Sequence, residues 1–464
     1  MVRISRRRAL ANVRKYSLTV ILFLVAACTP TLTPDPISDQ QSIADPTSTS
    51  SPVSTQELLA PTTEVTQVPE ATTTLVLTHQ QPDGNRLVVG SGGMPEEPLD
   101  IPLSDRPLWV VGVPVQDGSL WVATLESGQV QAFQIEAGEV FDLELNLTTL
   151  PPGMPPVLGA SGNQVELLSP APDASPATHP IWLEDGSQAY IDTQGQLHVF
   201  GLEDTYKLEV NALPDARILS DGVGHLLFLS APTVGYPHGV LGDSLEATTI
   251  TLVDTNANPS IIREIQIDPG DVIEGIAPIW VDLDGDGERE IIVTQSNANT
   301  GARIVVYSED GSLFASGEPV GQGFRWRHQL AAGQFIEGGA QEIAVIRTPH
   351  IGGFIEIYAL EGEQLEIKAI LNGYSSHQIG SRNLDSALAA DLNGDGQLEI
   401  IVPDQSQTTL AGIQMMDDGL QVVWEAPIGG KLSTNLAAAP LSDGRLALGG
   451  GHAGNMLRIW LQPP

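Results

Sequence analysis

The chain has one cysteine, Cys28, in 464 residues. That rules out a disulfide framework within the chain, and an exported domain of this length has enough core to do without one. Basic residues are scarce too, with 21 Lys and Arg against 57 Asp and Glu, a formal charge of −36. Such a surface repels nucleic acid and anionic lipid, so no nucleic-acid partner is expected, and the acidity itself reads as a solubility feature. The apolar run Leu18–Ala27 is too short for the roughly 20 residues of a membrane-spanning helix. Catalytic signatures are also missing: there is no His-Glu-x-x-His, no phosphate-binding loop, no cysteine nucleophile and no strand-borne Gly-x-Ser-x-Gly. Gly242-Asp-Ser-Leu245 spells the letters of an esterase block, but that block belongs near the start of an α/β domain.

The first residues carry a different signal. Arg3, Arg6, Arg7, Arg8, Arg14 and Lys15 precede the short apolar run, which ends in Val25-Ala-Ala-Cys28. This is the layout of a targeting segment over residues 1–27, with a weak twin-arginine hint at Ser5-Arg6-Arg7. Its end resembles the bacterial lipoprotein box. The resemblance implies cleavage before Cys28, a lipid on its sulfur, and a place at the extracytoplasmic face of a cell membrane. Removing residues 1–27 takes six of the 21 basic residues and none of the acids, so a lipid rather than charge attraction would hold the chain at a membrane. Residues 29–78 contain no Lys, Arg, Gly or aromatic residue, and residues 28–78 read as a disordered Thr/Ser/Pro-rich acidic tether.

What the chain does have is a loop that occurs twice. Val281-Asp-Leu-Asp-Gly-Asp-Gly-Glu-Arg-Glu-Ile-Ile-Val293 is matched by Ala390-Asp-Leu-Asn-Gly-Asp-Gly-Gln-Leu-Glu-Ile-Ile-Val402. The first offers oxygen ligands from Asp282, Asp284, Asp286 and Glu290 and from the Glu288 carbonyl. The second offers Asp391, Asn393, Asp395, Glu399 and the Gln397 carbonyl. Calcium takes roughly 6–8 such oxygens, and the absence of His and Cys from both loops disfavours softer metals. The spacing opens like an EF-hand but puts Val293 and Val402 where an EF-hand needs its last glutamate. About two calcium sites on β-hairpins are expected.

These loops resemble those of the FG-GAP/VCBS repeat family, whose calcium-binding hairpins sit in the blades of β-propellers such as the integrin α-subunit head. A worn third copy, Gln334–Val345, keeps Glu342 but puts Gln334, Ile336 and Gly338 at the ligand positions. The three glutamates at 290, 342 and 399 recur at a spacing typical of repeat folds, near the roughly 50 residues of kelch units. Short β-branched runs separated by turns follow each copy, as in Arg303–Tyr307 and Phe354–Tyr358. The expectation is an all-β fold over residues 79–464: a β-propeller of four-stranded antiparallel sheets, seven-bladed by preference, with six or eight as alternatives. The last unit, ending in Met456–Leu461, is one strand short, and a strand near Arg86–Gly90 is expected to complete it.

In such a fold the acid loops lie on one side, and the connections between blades lie on the other. The second group includes Arg325, Trp326, Arg327 and His328, with His350, His377 and His452. Tyr236, His238, Tyr374 and Arg382 fall in similar positions. Aromatic, Arg and His side chains gathered on one face of an acidic protein suggest recognition of a glycan or of another protein. The functional expectation is a membrane-anchored, non-catalytic binding or adhesion module with structural calcium. The alternative is an extracytoplasmic propeller enzyme, a polysaccharide lyase or glycoside hydrolase.

Overall fold

The computed structural model describes residues 74–461, apart from 93–97, 117, 162–163 and 202–203. The leader, Cys28 and the tether up to residue 73 lie outside the described residues. The last stretch assigned to the tether differs from expectation: Thr74–Val76 is a strand paired with Leu158–Ser161. Leu75 and Val76 supply apolar contacts there.

Every regular element among the described residues is a strand, so the fold is all-β. The strands form six hydrogen-bonded sheets. The largest joins three successive antiparallel meanders through Ala247↔Ile273 and Ser316↔Gln364. The chain therefore lays down eight meanders in order. The first runs from Pro107–Val115 to Glu139–Leu143, and the second is Leu158–Ser161 with Gln164–Leu167. The third spans Ile181–Trp182 to Thr205–Leu208, and the fourth Leu219–Ser220 to Ser260–Gln266. The fifth ends at Leu313–Gly317, the sixth runs from Arg327–Gly333 to Gln364–Asn372, and the seventh from Leu388–Asp391 to Gly419–Pro427. The eighth holds Leu432–Pro440, Leu446–His452 and Met456–Trp460.

The repeated Glu-Ile-Ile-Val run explains how neighbouring meanders pack. Alternate residues of a strand point to opposite faces. Ile291 and Val293 enter a core shared with the second to fourth meanders, while Ile292 enters one shared with the sixth. Ile400 and Val402 likewise face the sixth meander, and Ile401 faces the eighth. A strand buried on both faces must be apolar without alternation, as these runs are. Two more cores join the first meander to the second and the eighth back to the first. In the last, the Trp121 ring lies so close to Gly449 that a Cβ there would stand 2.3 Å from it.

The expected partner of the last unit is corrected. Leu99–Pro102, not the segment near Arg86–Gly90, pairs antiparallel with Met456–Trp460. Leu87–Ser91 instead runs parallel to Leu388–Asp391, the first strand of the seventh meander. The reason is local. Ile101 alternates into the core beside Leu457 and Ile459, whereas Arg86 is drawn inward to Asp385 at 2.7 Å. The stretch from Thr78 to Gly92 bonds in turn to the fourth, fifth, sixth, seventh and eighth meanders. Its partners include Ser220, Trp280, Ala332, Ala389 and Leu436.

Candidate functional site: two acid loops and the side opposite them

Both acid loops connect the first and second strands of their meanders. The first aspartate of each loop makes the same hydrogen bonds. Asp282 accepts from Gly285 N at 2.7 Å and Gly287 N at 3.0 Å. Asp391 accepts from Gly394 N at 2.7 Å and Gly396 N at 3.1 Å. The glycines that let each loop curl, Gly285, Gly287, Gly394 and Gly396, have φ between 81° and 94°, a region costly for other residues.

The glutamate that ends each loop has a structural task. Glu290 accepts from Leu283 N at 2.8 Å, and Glu399 from Leu392 N at 2.6 Å. In the worn copy Glu342 does the same for Phe335 N at 2.8 Å. This explains why Glu342 persists where the other ligand positions do not: it clamps its own hairpin. Burial pushes the Glu290 carboxyl up, and pushes Glu399 up to about 7, with Asp391 and Asp395 adding to the second shift.

Ligand atoms of Asp282, Asp284 and Glu290 lie within 4.8 Å of one another, close enough to hold a cation. Asp286 is outside that group and accepts from Glu288 N at 2.8 Å. In the second loop the acids are not drawn together to that distance. Asp395 is instead held by Gln414 at 2.9 Å and by Asn393 at 3.2 Å, and it accepts from Gln397 N. A second group with the same convergence, Asp173, Asp192 and His198, lies in and beside the third meander. Sequence reading missed it because its members span two segments and match no ligand spacing.

The other side is built by the loops between second and third strands and by those between meanders. Trp326, Arg327, His328, His377 and His452 are buried, so they support this side from within. Arg325 is exposed and His350 partly so. Arg327 is fixed by Glu356 at 3.2 Å and by the Ala302 carbonyl. His452 stands apart, its Nδ1 accepting from Gly454 N at 3.2 Å.

Four of the expected residues do meet. The Trp326 ring stacks on His328 with centroids 5.1 Å apart, lies 6.3 Å from His350, and takes His377 edge-on at 5.1 Å. The proton positions follow from the partners. His377 Nε2 faces the Ser381 carbonyl at 2.7 Å and must carry the hydrogen. Its Nδ1 is then bare and accepts from His350 Nε2 at 2.8 Å, which leaves His350 Nδ1 a free lone pair. Burial lowers these two imidazoles to about 3 and about 4, so both are neutral near pH 7. Beside them His238 Nδ1 bonds the fully buried Glu274, whose other oxygen accepts from Ser296 at 2.5 Å. Glu246, also buried, is pushed up to about 9 by burial and then by the Glu274 charge.

Around this cluster the loops carry apolar tips: Val234, Phe324, Ile351 and Ile379 are between 46% and 77% exposed. Toward the first, second, third, seventh and eighth meanders lies a cavity of about 450 Å³, lined in part by Arg106, Trp109, Ile379, Arg382, Ser386 and Thr434. Of these only Arg382 could be singled out from sequence, because the others come from separate segments without a motif. Deeper, Asp385 is held between Arg86 and Arg217. Burial favours its neutral form, but the charges of Arg217 and Arg86 outweigh that and hold it well below the usual carboxylate range. The chain matches no protein-family model and no curated protein.

Proposed function

We propose that this chain is a calcium-stabilised binding module, carried at the extracytoplasmic face of a membrane by a lipid on Cys28, that recognises a glycan or a protein. The observation that carries the reading is the order of the shared cores, each linking successive meanders and the last returning to the first. That order supports a ring of eight units, a β-propeller of the FG-GAP/VCBS type. The acid loops then lie on one side, and the cavity with its apolar rim on the other. The centre favours binding over catalysis, because Asp385 is neutralised by two arginines and is not free to transfer a proton. Calcium in the Asp282 and Asp391 loops serves the hairpins, since the worn hairpin at 334–345 keeps its clamp without those ligands.

The test is a screen of immobilised glycans and cell-surface proteins, run in calcium and in chelator. Saturable binding without turnover is expected. Absence of any ligand across the screen counts against the module. One observation favours a second reading, a propeller lyase or hydrolase: the buried Glu274 orients His238 as it would orient a general base, with the protonated Glu246 nearby. Release of unsaturated or shortened products from a polysaccharide panel, lost in His238→Ala, would establish that reading instead.

A further inference from the structure

The cavity beside the ring centre has a charge pattern opposite to that of the chain. Acids outnumber bases 57 to 21 overall, yet no Asp or Glu lines this cavity and two arginines do. The two are not equivalent. Arg382 is neutralised by Asp215 at 2.8 Å and Asp243 at 2.6 Å. The Arg106 guanidinium has no ion-pair partner among the described residues, and its Nε is buried without a hydrogen-bond partner. A buried guanidinium donor left open is costly and calls for an acceptor, and the fork of an arginine suits a carboxylate.

The rest of the lining is neutral. Gln378, Asn383, Ser386 and Thr434 present amides and hydroxyls, and Pro152 and Ile379 present apolar surface. Neutral donors and acceptors suit hydroxyl groups, and flat apolar surface suits the C–H face of a sugar ring. The volume, about 450 Å³, lies within the usual range for small-molecule sites.

We infer that this cavity is a binding site for a carboxylate-bearing sugar, with Arg106 as the anchor of its carboxylate. The inference rests on the reading of the chain as a binding module and names its ligand class. The lining comes from the start of the first meander, which supplies the cation, from the eighth, and from the connections that precede the second, third and seventh.

The experiment is calorimetric titration of the calcium-loaded protein with D-glucuronate, D-glucose, acetate and inorganic phosphate. Glucuronate should bind at least about tenfold more tightly than each of the other three, and Arg106→Gln should lose at least about tenfold. Arg106→Lys should recover part of the loss, and the melting temperature of both variants should match the parent. Equal affinity for glucuronate in Arg106→Gln, tighter binding of phosphate, or no glucuronate binding by the folded parent would each overturn the assignment. A protein ligand from the screen that binds undiminished to Arg106→Gln keeps the module and removes the sugar site. Cleavage of uronate oligosaccharides with Arg106-dependent affinity keeps the site and replaces the module with an enzyme.

Discussion

Asp385 and Arg217 lie 168 positions apart and face each other through two hydrogen bonds, 2.9 Å from Nη1 to Oδ1 and 2.6 Å from Nη2 to Oδ2. Arg86 adds a third to Oδ1 at 2.7 Å. One carboxylate thus ties the segments leading into the fourth and seventh meanders to the inserted N-terminal stretch. Removing it would leave two buried guanidinium groups uncompensated. Asp385→Ala is expected to cost about 3–5 kcal/mol, read by urea unfolding. A loss under about 1 kcal/mol would mean that water or another anion replaces it.

Calcium should matter to stability. Chelation is expected to lower the melting temperature, and the pair Asp284→Ala with Asp395→Ala should abolish that difference. Extracellular calcium modules can be as weak as about 10⁻⁴–10⁻³ M, so free calcium has to be brought to the low micromolar range. Because, of the two loops, only the first brings three of its acids within 4.8 Å of one another, Asp284→Ala is expected to remove more of the effect than Asp395→Ala. Identical melting in calcium and chelator removes both sites.

Glu246 predicts a pH dependence. Its carboxyl is pushed from 4.5 to about 9 by burial and by Glu274. Between those values the folded chain holds a proton that the unfolded chain releases. The stability tied to Glu246 is therefore full below about pH 4.5 and declines as pH rises toward 9, by at most about 1.4 kcal/mol per unit. Glu246→Gln should flatten the profile relative to the parent across that window. Parallel profiles for the two proteins, measured by chemical denaturation, would contradict the buried neutral acid.

Trp326 and Arg325 separate support from contact. Trp326 is 2% exposed and donates Nε1 to the Glu274 carbonyl at 3.0 Å. Trp326→Ala should cost about 3–5 kcal/mol, whereas Arg325→Ala, on an exposed loop, should stay within about 0.5 kcal/mol. Any effect of Arg325→Ala on ligand affinity is then a direct one. Equal stability losses would show that the 321–326 loop is packed as tightly as its tryptophan.

Cys28 is tested by fractionation. Cys28→Ala should move the protein from the membrane to the soluble fraction, with its melting temperature unchanged. Retention in the membrane would exclude a lipid on this sulfur as the anchor.

The all-β class, the strands that follow the acid loops and the hairpin geometry of those loops were legible in the chain, because they depend on near neighbours. Asp, Asn and Gly at fixed spacing force the curl of a loop, and a Glu-Ile-Ile-Val run buries on both faces wherever it is placed. Which strand completes the last meander was not legible. Leu99–Pro102 and the Arg86–Gly90 stretch are both short and extended, and the choice between them rests on two distant contacts, Ile101 with Leu457 and Ile459, and Arg86 with Asp385. Trp326 could be assigned to one side by connectivity, but its burial could not, since it depends on packing against Val240, Leu241, Ile276 and Leu384 from separate segments.

By itself the sequence determined where the chain turns, where it can collect cation ligands, and that its units must pack on both faces. Tertiary structure decided which charges meet. Asp385 finds Arg217 and Arg86 across 168 and 299 positions, Glu274 finds His238, and the Arg106 Nε finds no partner among the described residues although acids are in large excess. Short-range geometry follows from residue type and spacing. The pairing or isolation of a charge depends on which distant segments the packed core brings together.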